Sequence, residues 1–168
     1  VGSEMCIRDR IIGGLAGINS GTINTQNFTG LYPSIASQNV AQSFQACRGS
    51  IGGLVGLNQT GGVLENLVNT TLVKCTGTQD GAVQYMGGIV AVNAGTVRSC
   101  QNLGNIESDG GSGYKANSVG GIAGLNDSQT QGSGGIGLGN GMIIGCQNEG
   151  NILNIDANYA CLLYTSDA

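Results

Sequence analysis

Hydrophobic and small residues recur along the chain in one short phrase, written four times. The copies are Ile12-Gly13-Gly14-Leu15-Ala16-Gly17-Ile18-Asn19, Ile51-Gly52-Gly53-Leu54-Val55-Gly56-Leu57-Asn58, Met86-Gly87-Gly88-Ile89-Val90-Ala91-Val92-Asn93 and Val119-Gly120-Gly121-Ile122-Ala123-Gly124-Leu125-Asn126. They begin 39, 35 and 33 residues apart. A period of this size marks one supersecondary unit stacked on copies of itself. Within the third copy Met86, Gly88, Val90 and Val92 alternate with Gly87, Ile89, Ala91 and Asn93, the period of a strand. Ala94-Gly95 predicts a turn, Val97 to Asn102 a second short strand, Leu103-Gly104 another turn and Asn105-Ile106-Glu107 the start of a third strand. Turns this short leave no room for a crossover helix.

These elements predict an all-β fold, a parallel β-solenoid (β-helix) of about four coils whose handedness the pattern leaves open. The units run near 12–50, 51–85, 86–118 and 119–160. Stacked coils place equivalent residues about 4.8 Å apart. Three apolar rows follow. The rows Ile12/Ile51/Met86/Val119 and Ile18/Leu57/Val92/Leu125 are the better interior candidates. The row Leu15/Leu54/Ile89/Ile122 points the other way if alternation holds. Either a glycine bulge or a covering loop hides it, which is the favoured reading, or it forms an exposed ladder.

Each unit carries a second recurring feature. Asn27, Asn69, Asn102 and Asn148 fall at equivalent positions, each followed four residues later by Leu31, Val73, Ile106 or Ile152. Rows of asparagine can hydrogen-bond along a stack and tolerate left-handed turns. The structural repeat residues are therefore Gly13, Gly14, Asn19, Gly52, Gly53, Asn58, Gly87, Gly88, Asn93, Gly120, Gly121 and Asn126, with Cys100, Asn102, Cys146 and Asn148. Lengths vary between the phrases. Residues 31–50 hold the only proline, and residues 127–141 are a Gly-rich insertion. Such variation belongs on loops projecting from a solenoid, where binding function tends to reside.

The two ends do not share the pattern. Residues 1–10 and 161–168 can be encoded by inverted copies of one DNA sequence, through Met5-Cys6-Ile7-Arg8-Asp9 and Cys161-Leu162-Leu163-Tyr164-Thr165. That DNA looks like a transposon mosaic end used in sequencing. Both segments are expected to be sequencing-adapter artefact, with the native gene continuing on each side, and residues 11–160 to be the repeat domain.

Composition narrows the class further. Charged residues are 10% and hydrophobic residues 40% of the chain, which excludes a disordered polyelectrolyte. The net charge is −4, and residues 11–160 hold no basic patch for a nucleic-acid backbone. No apolar run approaches the roughly 20 residues of a membrane helix.

There is no histidine, so a Ser-His-Asp or Cys-His device is absent and zinc is not expected. The cysteines of the body, Cys47, Cys75, Cys100 and Cys146, form no C-x-x-C pair. Cys100 and Cys146 share a repeat position that Leu67 occupies in the second unit. That pattern reads as core filling by free thiols, with a disulfide between coils as the alternative. Asp80, Glu107, Asp109 and Asp127 read as solvated turn charges rather than the carboxylates of a β-helix lyase or glycosidase. Gly135-Ile136-Gly137-Leu138-Gly139 lacks the strand-loop-helix setting of a dinucleotide loop. The sequons at Asn27, Asn58, Asn69 and Asn126 are expected by chance in so Asn-rich a chain. No catalytic, cofactor-binding or metal residue is assigned, and no cofactor is expected.

The phrase Val/Ile-Gly-Gly-Leu-Val/Ala-Gly-hydrophobic-Asn, followed by Gly-Thr-Val and Cys-x-Asn-x-Gly-x-Ile, resembles the GLUG-motif repeats of bacterial surface proteins. The residues that carry the likeness are Gly52 to Asn58 and their counterparts, with Cys100 to Ile106 and Cys146 to Ile152. It covers nearly all of residues 11–160, apart from Thr25 in place of a cysteine and Ala91 in place of a glycine. The resemblance implies a non-catalytic structural or adhesive repeat segment of a secreted or cell-surface bacterial protein. Its implied partners are flanking repeats of the same chain and a surface ligand, protein or glycan. The alternatives are an accessory region of an IgA-specific or other secreted metallopeptidase, or a β-helix that binds or degrades polysaccharide.

Overall fold

The computed structural model describes residues 10–24, 44–45, 49–76, 83–109, 116–127, 141–153 and 157–161. Among them there is no helix; twenty short strands follow one another along the chain. The first coil contains β1 (Arg10–Gly13), β2 (Ala16–Asn19), β3 (Thr22–Asn24) and β4 (Phe44–Gln45). The second contains β5 (Gly49–Gly52), β6 (Val55–Asn58), β7 (Val63–Glu65), β8 (Val68–Asn69) and β9 (Val73–Thr76). The third contains β10 (Val83–Gly87), β11 (Val90–Asn93), β12 (Thr96–Arg98), β13 (Gln101–Asn102) and β14 (Ile106–Asp109). The fourth contains β15 (Ala116–Gly120), β16 (Ala123–Asn126), β17 (Met142–Ile144), β18 (Gln147–Asn148) and β19 (Ile152–Leu153), after which β20 (Ala157–Cys161) lies on β15.

Each strand pairs with its counterparts one coil above and below, and every such pairing is parallel. Five sheets result. The first runs β1-β5-β10-β15-β20, the second β2-β6-β11-β16, the third β3-β7-β12-β17, the fourth β8-β13-β18 and the fifth β4-β9-β14-β19. Register follows the sequence repeat: Ile12 opposes Ile51, Asn58 opposes Asn93, and Asn102 opposes Asn148. The chain is a parallel β-solenoid, as its repeats predict.

One local expectation is corrected. The eight-residue phrase is not a single strand. The first-sheet strand ends at Gly52 or Gly87, the next two residues form a corner, and a second-sheet strand begins at Val55 or Val90. At this corner one carbonyl accepts two successive N–H groups from the neighbouring coil. Ile89 O takes Leu54 N at 3.0 Å and Val55 N at 2.9 Å, and Ile122 O takes Ile89 N and Val90 N, each at 3.0 Å. The bend breaks the two-residue alternation, so adjacent residues such as Ile89 and Val90 both enter the core.

The apolar rows sort accordingly. The Leu54/Ile89/Ile122 row is fully buried, so the exposed-ladder alternative does not hold. Together with Val55, Val90 and Ala123, the third-sheet residues Leu64 and Val97, and Leu67 and Cys100, it builds the main core. The Ile51/Met86/Val119 row lies in a second cluster, against Val73 and Ile106 of the fifth sheet. Leu57 and Val92 form a third cluster with Ala91, beside Tyr85 and Leu125, rather than sharing an interior with Met86. Each fully buried Leu, Ile or Val contributes about 1.5–3 kcal/mol of transfer free energy. A single coil encloses too few of them to fold alone.

The segment from Val97 to Asn102 also divides, into β12 and β13. Ser99 between them has φ 51°, and the equivalent Asn66 and Gly145 have φ 53° and 58°. This left-handed corner turns Val97 and Cys100 toward the same core cluster.

Candidate functional site

The chemistry-bearing side chains that the repeat pattern singles out line up along the stack. Asn19, Asn58, Asn93 and Asn126 form one buried ladder at the end of the second sheet. Asn19 Nδ2 donates to Asn58 Oδ1 at 2.8 Å, Asn58 Nδ2 to Asn93 Oδ1 at 2.8 Å, and Asn93 Nδ2 to Asn126 Oδ1 at 2.7 Å. The remaining amide hydrogens go to backbone carbonyls at the following corner, as from Asn19 to Gly21 O at 2.9 Å and from Asn126 to Gly141 O at 2.9 Å. In return Gly95 N donates to Asn93 Oδ1 at 3.2 Å. Each asparagine thus supplies the donor and acceptor that a corner between two sheets otherwise lacks.

A second ladder runs along the fourth sheet. Asn69 Nδ2 donates to Asn102 Oδ1, and Asn102 Nδ2 to Asn148 Oδ1, both at 2.8 Å. Their second hydrogens reach Thr71 O, Gly104 O and Gly150 O. Asn27, expected in the same row, lies outside the described residues. All five links donate from the earlier coil to the later one, so the amide dipoles of both ladders align and polarise one another.

The repeat glycines serve these ladders and the corner beside them. A Cβ on Gly88 would strike Gly121 O and the amide of Asn102; one on Gly53 would strike Gly88 O and lie 2.8 Å from Asn69 Nδ2. A Cβ on Gly13, Gly52, Gly87 or Gly120 would meet the carbonyl oxygen three residues on. Gly14 and Gly121 occupy the corner position equivalent to Gly53 and Gly88. Close approach, not positive φ, requires glycine here.

The thiols stack too. Cys100 is buried in the main core and Cys146 is half-buried against it; both are free. Cys100 N donates to Cys146 Sγ at 3.4 Å. Cys100 Sγ lies 3.3 Å from Arg98 O, and Cys146 Sγ 3.5 Å from Ile144 O. A hydrogen bond from the Cys100 thiol stabilises the Cys146 thiolate against the opposing effect of burial, and the backbone N–H of Cys100 adds to it, lowering that group to about 7. Cys100 shifts upward for the complementary reason, as donor to Cys146, and burial adds to the shift.

Opposite charges one coil apart also pair, which reading one unit at a time does not reveal. Lys74 Nζ meets Glu107 Oε2 at 2.8 Å, and Arg98 Nε meets Glu65 Oε1 at 3.0 Å, each at matched register positions. Glu107 is therefore an ion-pair partner. Asp127 is not a solvated turn charge: it is 1% exposed, beside the ladder residue Asn126. There its N–H donates to Asn93 O and its carbonyl accepts from Gly141 N, which closes the base of the fourth coil's insertion. Asn58, Asn69 and Asn126 are buried in the ladders, so their sequons present no amide to a glycosylating enzyme. Asp80, Cys47 and residues 135–139, and the side chains of Cys75 and Asp109, lie outside the described residues.

Among the described residues no group of three or more cysteines, aspartates and glutamates is placed to hold a metal ion. No helix among them is long and apolar enough to cross a membrane. Comparison with protein-family models, curated proteins and solved structures gives no match for this chain.

Proposed function

We propose that this chain is a non-catalytic stalk segment of a secreted or cell-surface bacterial protein, holding variable loops that adhere to a protein or glycan ligand. The observation that carries the reading is where the reactive side chains are spent. Asparagine amides, opposite charges and thiols bond from one coil to the next, along the axis of the stack. Variation in length falls instead between strands, in the first coil on the stretch from β3 to β4 and in the others chiefly at the corner between the second and third sheets. That corner is Ser20-Gly21 in the first coil and Ala94-Gly95 in the third. In the second coil it grows to residues 59–62, closed by Gly62 N donating to Gln59 O at 2.8 Å, and in the fourth it spans residues 127–141. A stiff axis with connections of unequal length between its strands suits display. The resemblance to GLUG-motif repeats supports the same reading.

Beads coated with the full chain, and with a variant whose residues 127–141 are replaced by Ala-Gly, test it on immobilised glycans and extracellular-matrix protein. The intact chain should retain the beads. The variant should keep its β circular dichroism and lose retention. Equal retention would remove the insertion from the adhesive role, and turnover of a polysaccharide by the purified chain would make the protein an enzyme.

A further inference from the structure

Among the described residues the stacked thiols of Cys100 and Cys146 bring two redox-active side chains together. We propose that Cys100 and Cys146 form a disulfide in an oxidising environment and staple the third coil to the fourth. Gln101 and Gln147, the next residues, are register partners in the fourth sheet, so the two cysteines lie one above the other. Adjacent strands stand about 4.7–4.9 Å apart, inside the Cα separation of roughly 4.4–6.8 Å that disulfides use. Both side chains face the same core cluster, and the 3.4 Å contact from Cys100 N brings Cys146 Sγ against the backbone of its partner. The thiol contacts to Arg98 O and Ile144 O are weak and can be exchanged for the covalent bond.

Access is asymmetric in a useful way. Cys146 is half-buried and precedes β18, the edge strand of the fourth sheet, whereas Cys100 is enclosed. Cys146 is also the group whose thiolate the site favours. With glutathione disulfide as oxidant, Cys146 Sγ attacks one glutathione sulfur, forming a mixed disulfide and releasing a glutathione thiolate. Cys100 Sγ then attacks Cys146 Sγ, the second glutathione leaves, and the proton lost by Cys100 ends on a glutathione sulfur. Two protein thiols are oxidised by two electrons, and one glutathione disulfide becomes two glutathiones. The staple closes a span of 46 residues and depends on the repeat geometry alone, not on the stalk reading.

The test is a peptide map of the full chain after equilibration with glutathione disulfide and alkylation of the remaining thiols. Trypsin with a glutamate-specific protease releases residues 99–107 and 116–149, which carry Cys100 and Cys146 as their only cysteines. The expected result is a single species with these peptides joined, two hydrogens lighter than their sum. The oxidised protein should melt several degrees above the reduced one. In Cys146→Ser the 99–107 peptide should return as an alkylated thiol. Glutathione retained on Cys146 beside a free Cys100, linkage to another cysteine peptide, or a joined pair with no rise in melting temperature would overturn the proposal.

Discussion

Ser99 shows how a solenoid coil is fixed by single residues. Its φ of 51° costs an L-residue roughly 1–2 kcal/mol relative to right-handed backbone, because Cβ crowds the following carbonyl. Gly145, one coil on, adopts φ 58° without that cost. Ser99→Gly should therefore stabilise the protein by about 0.5–1 kcal/mol, the glycine's greater freedom in the unfolded chain offsetting part of the gain. Gly145→Ala has open space for its methyl group yet should destabilise by about 1 kcal/mol, from φ alone. Thermal melts of the two variants check the pair, and shifts in the same direction would refute the account. This corner could not be read from the sequence, since Asn66, Ser99 and Gly145 share a backbone conformation but no side-chain chemistry. The asparagine and cysteine rows were legible because the same residue returns at the same position. The charged pairs lay between, visible only once Lys74 is set against Glu107 in register.

At the scale of the element, the legible and illegible parts meet in the glycine pair. The repeat disclosed strands and their stacking, but alternation suggested one strand where there are two. A glycine has no side chain to show which face it occupies, so Gly88 passed as strand interior when, with Ile89, it forms a corner after Gly87 ends β10. The bend explains why Ile89 lies in the main core although alternation turned it away from Met86. It also makes a sharp distinction among glycines. Gly88→Ala drives a methyl group into Gly121 O and into the Asn102 amide, which the ladder bonds hold in place, and should cost about 3 kcal/mol or more, as overpacking of a tight site does. Gly21→Ala, at a corner with nothing within 4 Å, should change stability by less than about 0.5 kcal/mol. Urea midpoints of these two variants are the measurement. A tolerant Gly88 would mean the corner is looser than its contacts state.

At the scale of the whole molecule, a stack in which each coil touches its neighbours distributes stability unevenly along its axis. The exposure of one row shows it: Ile18 in the first coil is 55% exposed, against 8% for Leu57 and 4% for Val92. The amide ladder follows the same gradient. Asn93 accepts from Asn58, donates to Asn126 and Met142 O, and accepts from Gly95 N, all within the interior of the stack. Asn93→Ala strips partners from Asn126 Oδ1 and Gly95 N where water does not replace them. At about 1–3 kcal/mol for each orphaned group, the loss should reach roughly 3–5 kcal/mol. Asn19→Ala removes the donor to Asn58 and the bonds to Gly21, but in a coil whose Ser20 and Gly21 are open to water. Its cost should stay near 1 kcal/mol. Hydrogen exchange should rank the same way, with amides of β6 and β11 protected longer than those of β2 and β17. If both asparagine variants unfold at one urea concentration and the four strands exchange together, the molecule is a single cooperative block. The coil-by-coil account of its stability would then be wrong.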